Sequence, residues 1–579
     1  MKYSRARAGL LAAASTLCAH SAHAAVIVSG ETGGVNPDDI AINPDVTGQD
    51  IVLGRLILVN DVLVATPDGE LTVNGEGAVT SVSTDQATLI GVQQDTIGTL
   101  NVAGDGTAGS ASFQSSVLRV GGFDRSSELF ESGLGILNIG NGGEVIADNA
   151  NTPDRLFDGL ISIGGSSGAC CLTIDGNGTD NVDGIVNVDG IGSRLRGETL
   201  LLGDSTLGLS GELNVTNGGA VILRNEGANA SPIARLVVSE NSSVFVDGEQ
   251  SLITTDNFAV GFPRDAEEVL NPSNAPAKLL ITNGGRVEAV NVRTTGANIG
   301  RATTGEVIVR GPGSQLFVGG EIDPDILEGR TGDLVIGVGE WDGDTRIIPG
   351  NGSLTVENQA SVVVSDEIFV GGSSGQTQEF LEQFGISGPP SNGALTVRSG
   401  ATVEAQRVNV LENGILSGSG GSIFADVFVD GGTLAPGDSP GSMLIDGDLE
   451  FASTQSLLQI EIAGLLNTEF DILEITGDLI AENGFTLELS FLDGFAPEEN
   501  DAFEFLRVGG DSLLDFALVN VITNGLIGDF DFAVNAVNGV FSLTTLNVPD
   551  PSEVPIPSAF ILMASGLVGV RLLKGRKPK

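Results

Sequence analysis

Short apolar stretches alternate with polar residues along most of the chain and recur as copies of a small unit. In the copy at 211–221, Leu213 and Val215 occupy alternate positions of a strand and share one face, while the polar residues between them share the other. Asn217 and Gly218 follow, and both residue types tolerate the positive φ angles of a tight turn. The unit therefore predicts two short strands that face one apolar core and are joined by a tight turn.

Two related forms of this unit repeat. The form Gly-x-Leu-x-Val/Ile-x-x-Gly-Gly/Ala-x-Val occurs, with small variations, at 135–145, 211–221, 278–287, 352–362 and 393–403. The form Gly-x-Val/Leu-x-Val-x-Gly-x-Gly-Ser/Thr occurs at 98–107, 184–193 and 305–314. Between the units lie aliphatic-Gly steps: Val120-Gly121, Ile163-Gly164, Val260-Gly261, Ile299-Gly300, Ile336-Gly337 and Val370-Gly371.

One such unit is too small to cover its own apolar face, so the copies must stack on one another. We therefore predict an all-β fold in which 25–434 form a β-solenoid (parallel β-helix-like). The spacing of the copies is irregular, which predicts corner loops of variable length, with long inserts near Asn271-Pro272 and at 376–390. A two-sheet β-sandwich is the alternative.

The composition changes near residue 435. A turn-rich segment at 435–441 is followed by longer strands that are richer in phenylalanine, such as the alternating stretch from Phe485 to Phe491. Asn538-Gly539 predicts the turn of a last hairpin. We assign 435–548 to a smaller β-rich domain and 549–553 to a linker.

The N-terminus has the features of a secretory signal peptide. Lys2, Arg5 and Arg7 precede an apolar run at 8–19, which is too short to span a bilayer as a permanent helix. Ala22 and Ala24 provide the small-x-small pattern that signal peptidase reads, so cleavage is expected before Ala25. Residues 1–24 are thus predicted to be a signal peptide on an exported protein.

Export would change the chemistry available to the chain. Both histidines, His20 and His23, and the single tyrosine, Tyr3, lie within the predicted signal peptide. The mature chain would have no imidazole, which excludes Ser-His-Asp and Cys-His nucleophiles and histidine-bearing metal sites. We assign no catalytic residue and no metal ligand.

The charge of the chain restricts its partners. Three of the 27 cations lie in the signal peptide and five in the last nine residues, which leaves 19 cations against 75 carboxylates and a formal charge of −56. Such a field repels nucleic acid and anionic lipid, and it favours cations or neutral glycans. The carboxylate density makes Ca²⁺ a candidate structural ion. A hydrophobic share of 41% and a mean hydropathy of +0.20 predict a packed core rather than disorder.

The cysteines favour structural roles. Cys18 has Leu17 before it, where a lipoprotein signal needs a small residue. Cys170 and Cys171 are the two cysteines of the mature chain, and they predict a vicinal disulfide or two free thiols on opposite faces of a strand.

Three acidic motifs could have a functional role, but each also has a simpler structural or chance explanation. The segment 175–180 is similar to a calcium-binding loop, but it lacks glycine at the sixth position and has Val186 where glutamate is needed, so we interpret it as a polar turn. Two carboxylate pairs have the spacing seen in glycan-cleaving β-helices, and with 75 carboxylates present such pairs also arise by chance. They are Asp323/Asp325 and Asp342/Asp344.

The C-terminus combines a proline motif, an apolar run and a basic tail. Residues 554–557 read Val-Pro-Ile-Pro, and the almost wholly apolar segment 558–570 follows. The tail contains Arg571, Lys574, Arg576, Lys577 and Lys579. The segment 554–573 is just long enough to cross a bilayer, and the basic tail would stay cytoplasmic. A simple membrane anchor is one interpretation.

This ending resembles the PEP-CTERM sorting signal that exosortases process in Gram-negative bacteria. Val554, Pro555, Ile556 and Pro557 match its Val-Pro-x-Pro form, with Ile556 where the eponymous form has glutamate. The resemblance implies that 554–579 are a sorting signal with a transmembrane helix, recognised by an exosortase-type membrane transpeptidase. It also implies an inner-membrane intermediate, a final place at the cell surface or in the extracellular matrix, and a link to extracellular polysaccharide and biofilm.

The repeats resemble autotransporter-associated β-strand repeats. The segment 434–441 followed by 445–449 looks like the end of such a repeat in passenger domains. An autotransporter barrel carries aromatic girdles, and after the signal peptide the chain has Trp341 but no tyrosine, so we expect a passenger-like architecture with a different anchor.

The sequence thus predicts a non-enzymatic, structural or adhesive protein of the cell surface or matrix. The alternative is a polysaccharide lyase or hydrolase on a β-helix scaffold. A lyase usually needs a cluster of cations near its base, and Lys278 is the single lysine between the two ends.

Overall fold

Three ladders of short parallel strands, which we name faces A, B and C, wind around one apolar core. The computed structural model describes residues 25–29, 32–33, 45–46, 51–53, 56–59, 62–65, 69–75, 80–84, 87–91, 96–121, 133–148, 159–164, 183–204, 209–224, 235–262, 275–290, 297–319, 332–341, 347–372, 390–437, 440–526, 531–537 and 539–547. Across these residues the strands of each coil pair in parallel with those of the next coil. The predicted β-solenoid is therefore confirmed, and the sandwich alternative is wrong.

Face A continues along the whole described solenoid. Its strands are Gly69–Asn74, Ile97–Ala103, Leu134–Gly140, Gly184–Asp189, Gly211–Thr216, Ser243–Asp247, Ala277–Thr282, Thr304–Arg310, Asn351–Glu357, Asn392–Arg398, Gly414–Ser417, Thr433–Ala435, Leu457–Ile462, Thr486–Phe491 and Asn520–Asn524. Their inward positions stack in register, as where Leu279 lies between Val244 and Val307. All three side chains are buried, so each coil supplies the apolar cover that its neighbour lacks.

Faces B and C follow face A in each coil. Face B contains Asp45–Val46, Thr80–Thr84, Ala111–Ser115, Glu144–Ala147, Arg194–Gly197, Ala220–Leu223, Leu252–Thr255, Arg286–Ala289, Gln315–Val318, Ser361–Val364, Ser442–Ile445, Ile472–Ile475 and Ala502–Val508. Face C contains Ile51–Leu53, Ala87–Ile90, Val117–Val120, Leu160–Ile163, Thr199–Leu202, Arg235–Val238, Asn257–Val260, Ala297–Arg301, Leu334–Val338, Glu367–Val370, Leu449–Phe451, Leu479–Ala481 and Ser512–Leu514. Two long strands, Thr402–Val410 and Gly421–Val429, run through both faces.

The aliphatic-Gly steps form the corner between faces C and A. Gly300 follows Ile299 with a φ of +71°, and the chain turns there into the face A strand Thr304–Arg310. A Cβ at Gly300 would overlap the backbone carbonyl of Asn351 in the next coil. Glycine is thus required at this corner both for its conformation and for the close approach of two backbones.

Two turn types occur at the corner between faces A and B, and they alternate from coil to coil between residues 141 and 314. Asn217 and Gly218, with φ of +52° and +88°, form a type I′ turn closed by a bond from the Gly219 N–H to the Thr216 carbonyl. This confirms the turn predicted from the sequence. In the next coil the Ser251 N–H donates to the Gly248 carbonyl and Gln250 has a φ of +69°, which is the pattern of a type II turn.

Buried serines join these turns from one coil to the next. The Gly218 N–H donates to Ser251 Oγ at 3.0 Å, and Ser251 Oγ donates in turn to the Asp247 carbonyl at 2.6 Å. The same arrangement joins Gly142 to Ser193 and Gly284 to Ser314. All three serines have no exposed surface. Ser193 and Ser314 each end a copy of the second sequence unit, and like Ser251 each satisfies a backbone N–H in the first unit of the coil before it.

Antiparallel strands lie at both ends of the described solenoid. Ala25–Ser29 pairs with Gly69–Asn74, and Thr32–Gly33 pairs with Ile51–Leu53. The hairpin Asp531–Val537 and Val540–Asn547 packs its second strand against Ala502–Val508, which confirms the predicted last hairpin. Two further hairpins, Leu56–Val59 with Val62–Ala65 and Glu340–Trp341 with Ile347–Ile348, and a single-turn 3-10 helix at Phe516–Leu518 complete the described elements.

Strand pairing crosses the predicted domain boundary at residue 435. Thr433–Ala435 pairs in parallel with Gly414–Ser417 before it and with Leu457–Ile462 after it. The ladders thus continue through this point, and the division into two domains stays a prediction. The insert expected near 271–272 lies outside the described residues. So do residues 376–389 of the insert expected at 376–390.

Candidate interaction surface

Four asparagines form a hydrogen-bonded ladder on the outer side of face A. Asn101, Asn138, Asn187 and Asn214 occupy the same outward position in consecutive coils. Each Nδ2 donates to the Oδ1 of the preceding asparagine, at 2.8, 2.9 and 3.0 Å. An amide has two N–H donors and two acceptor sites, so one bond in each direction leaves capacity for a ligand at the two middle residues, Asn138 and Asn187. The ladder is a regular, partly exposed row of amides at the strand spacing of about 4.8 Å.

Carboxylates fix both ends of this amide ladder. Asn101 Nδ2 donates to Glu70 Oε1 at 2.7 Å, and Asn214 Nδ2 donates to Glu212 Oε1 at 2.9 Å. The bonds to an ionised acceptor hold the amide planes in one orientation. The row is therefore ordered before any ligand arrives.

Further along the solenoid, the outward position that the four asparagines occupy is taken by apolar residues and then by hydroxyl residues. In register with Asn214 the next coils place Phe245, Leu280 and Ile308 at the outward position. The hydroxyl side chains of Thr355, Thr396 and Ser417 follow, and then Ala435. An amide segment is thus continuous with an apolar one on a single face. Sugar rings have hydroxyl edges and apolar faces, so this combination suits a carbohydrate chain.

Five described cations on the outer surface are paired with carboxylates, four of them with a carboxylate on a neighbouring coil. Arg286 Nη2 lies 2.7 Å from Glu288 Oε1, and Arg507 Nη1 lies 2.6 Å from Glu474 Oε1. Further pairs are Arg196–Glu144, Lys278–Glu306 and Arg398–Glu357. Four of these ion pairs offset carboxylate repulsion between coils, and all five occupy a cation that could otherwise bind an anionic substrate.

Asp471 is a buried carboxylate whose pKa is raised. Desolvation raises its pKa from the ordinary 3.8 to about 7, against the opposing effect of the backbone N–H donors of Glu461 and Gly441. Those bonds are 2.8 and 2.7 Å long. Asp471 is 1% exposed, so it is out of reach of a polysaccharide, and its carboxylate instead accepts the N–H groups of Gly441 and Glu461.

An open groove of about 340 Å³ lies on face B near the C-terminal end. Leu444, Thr476, Val508 and the Glu474–Arg507 pair are among its lining residues. Because the two charged groups bond to each other, the groove presents no unsatisfied charge to a ligand. We assign no site to it.

The residues predicted to act at the two ends lie outside the described residues. These are Ala22 and Ala24 of the signal cleavage site and all of 554–579; Ala25 begins the first described strand. The same holds for Cys170, Cys171, the segment 175–180 and the pairs Asp323/Asp325 and Asp342/Asp344. The amide ladder was not predicted, although four copies of the repeat units carry asparagine at the same position and gave a usable signal.

The described part of the chain was searched for membrane-spanning helices and for metal-binding groups. It contains no helix long and apolar enough to span a membrane. Within the same residues, no three histidine, cysteine, aspartate or glutamate side chains are grouped so that they could hold a metal ion.

Comparison with known proteins assigns no property to this chain. No family model matches the sequence, and no curated protein matches it. Among solved structures, the chain is similar to a crystal structure of a TibC-catalysed hyper-glycosylated TibA fragment, with 11% identity and a TM-score of 0.25. The match covers 76% of this chain and 100% of that one. At these values the chain is assigned to no family, and no property of that fragment is transferred to it.

Proposed function

We propose that this chain is a non-enzymatic structural or adhesive protein of the cell surface or extracellular matrix, associated with exopolysaccharide. The observation that carries the proposal is the ordered amide ladder of face A, continuous with an apolar row on the same surface. A solenoid presents such rows over many coils, which suits a long repetitive ligand better than a small one.

Charge defines the class of glycan. At a formal charge of −56 between the predicted ends, an acidic polysaccharide would be repelled unless cations bridge it. A neutral polysaccharide bears hydroxyl groups that can bond to the amides without that cost. We therefore propose a neutral or weakly charged glycan as the ligand.

The competing function is a polysaccharide lyase or hydrolase on the same scaffold. The described ion pairs occupy several cations of the outer surface, which a lyase would need near its base. The buried Asp471 cannot touch a substrate. These observations favour binding over turnover.

We expect the mature protein to co-sediment with neutral polysaccharides and to release no reducing ends from them or from uronate polymers. Changing Asn138 and Asn187 together to alanine should weaken binding about thirtyfold, because each of the two lost hydrogen bonds contributes about 1 kcal/mol. Thr396→Ala on the same face is the matched control and should bind like the wild type. Equal binding by the double variant, or turnover that depends on one aspartate pair, would contradict the proposal.

We also propose that the protein is exported, inserted by its C-terminal helix and then sorted by an exosortase-type transpeptidase. Proline fixes φ and keeps the preceding residue extended, so Val554–Pro557 would offer the enzyme an accessible backbone that a helix hides. Pro555→Ala combined with Pro557→Ala should leave the protein membrane-inserted but uncleaved. Deleting 571–579 should impair membrane retention, because the positive-inside stop is lost.

Intact mass and membrane fractionation in the native host measure both effects. The wild type should lose both ends, with signal peptidase acting before Ala25. A double-proline variant that matures and leaves the inner membrane like the wild type would reduce 554–579 to a plain anchor.

Calcium remains a proposal for the structural ion. A larger melting shift in CaCl₂ than in NaCl at matched ionic strength would support specific binding to the folded state, whereas equal shifts would indicate screening alone.

A further inference from the structure

Three of the type I′ turns between faces A and B contain an Asn-Gly pair. They are Asn141-Gly142, Asn217-Gly218 and Asn283-Gly284, and each asparagine has a φ between +51° and +52°. Asn-Gly is the dipeptide most prone to spontaneous deamidation, because glycine places no side chain in the way of the reacting backbone nitrogen. In a protein that persists outside the cell, such turns are exposed to this damage for a long time.

We propose that the buried serines Ser193, Ser251 and Ser314 protect these turns from deamidation by holding the nucleophilic nitrogen of each pair. The glycine N–H that would have to lose its proton is the donor to the serine Oγ of the next coil, at 3.1, 3.0 and 3.0 Å. The serines have no exposed surface, so water does not compete for the bond.

Deamidation of an Asn-Gly pair proceeds through a succinimide. The glycine nitrogen attacks the asparagine Cγ, a C–N bond forms, and the side-chain nitrogen leaves as ammonia to give a succinimide. Water then opens the ring at one of its two carbonyls and yields aspartate or isoaspartate. The first step requires the N–H to leave its hydrogen bond and the nitrogen to turn toward Cγ, which the serine opposes.

In two of the three turns, a second hydrogen bond holds the asparagine side chain, whose Cγ is the electrophile. Asn217 Nδ2 donates to Asp189 Oδ1 at 2.6 Å, and Asn283 Nδ2 donates to Asp247 Oδ1 at 2.6 Å. These bonds fix the side-chain amide against the preceding coil. Deamidation would replace each donor with a carboxylate beside another carboxylate, and the like charges would repel one another. The protection therefore also preserves the contact between coils.

Peptide mapping by mass spectrometry, after prolonged incubation of the folded full-length protein at mildly alkaline pH, measures aspartate and isoaspartate at each turn. In Ser251→Ala the rate at Asn217 should rise about tenfold, which corresponds to the loss of one hydrogen bond of about 1.4 kcal/mol. The rates at Asn141 and Asn283 should stay at their wild-type values. The reciprocal variant Ser193→Ala should affect Asn141 alone.

Ser243→Ala is the matched control, since it removes a hydroxyl from an outward position of the same coil. It should leave all three rates unchanged. Chemically denatured protein supplies the unprotected reference, in which the three pairs should react at similar rates. Unchanged rates at Asn217 in Ser251→Ala would overturn the proposal. So would equal increases at all three turns in both serine variants, because the protection would then come from global folding.

Discussion

Replacing Gly300 with alanine is expected to destabilise the central coils by about 4 kcal/mol or more, at the upper end of single-residue effects. Alanine at a φ of +71° costs about 1–2 kcal/mol for conformation alone. The new Cβ would also overlap the Asn351 carbonyl and lie 2.5 Å from the Gly352 nitrogen. Both neighbours are backbone atoms of the next coil, so the two coils would have to separate.

Gly106→Ala is the matched control for this substitution. Gly106 has a φ of +92°, and a Cβ there would meet no atom within 4 Å. This variant should therefore show only the conformational cost of about 1–2 kcal/mol. The difference between the two variants isolates the steric part.

The effect of Gly300→Ala should be local at first, because each coil contacts only its neighbours and a long repeat array need not unfold in one step. Amide hydrogen exchange resolved along the chain is the suitable measurement. Exchange should accelerate most around Thr304–Arg310 and Asn351–Glu357. Exchange in Gly300→Ala no faster than in Gly106→Ala would show that the close approach is not a constraint on the fold.

Lowering the pH from 7 to 4 is expected to stabilise the coil that contains Asp471 by up to about 4 kcal/mol. Burial raises the pKa of Asp471 to about 7, so between these pH values the folded state holds a proton that the unfolded chain has released. Stability therefore rises as the pH falls through 7 and reaches its full gain near the ordinary pKa of 3.8. Above pH 7 the ionised, desolvated carboxylate opposes folding.

Asp471→Asn separates this contribution from that of the many other carboxylates. The amide leaves one of the two N–H donors, of Glu461 or Gly441, without an acceptor, and that cost is the same at every pH. The readout is thus the slope of stability against pH rather than its level. Denaturant unfolding followed at pH 4, 5.5 and 7 should show a shallower slope for Asp471→Asn. Parallel slopes for the two proteins would contradict the raised pKa.

The repeat pattern by itself determined the fold class and its local geometry. Alternating residues such as Leu213 and Val215 specify one buried face of a strand, and Asn217-Gly218 specifies a turn with positive φ, because both properties depend on near neighbours in the chain. The pattern of the two ends likewise determined the predictions of export and sorting, which concern segments outside the described residues and stay predictions.

The hydrogen bonds between one coil and the next were decided only by the tertiary structure. Gly218 and Ser251 are 33 residues apart, and Asn138 and Asn187 are 49 apart, yet each pair is joined by one hydrogen bond. Because the corner loops vary in length, these distances along the sequence follow no fixed period, and local pattern cannot pair the residues. The serine protection of the turns, the amide ladder of face A and the continuity of strand pairing across residue 435 therefore came from the stacking of coils and not from any single repeat.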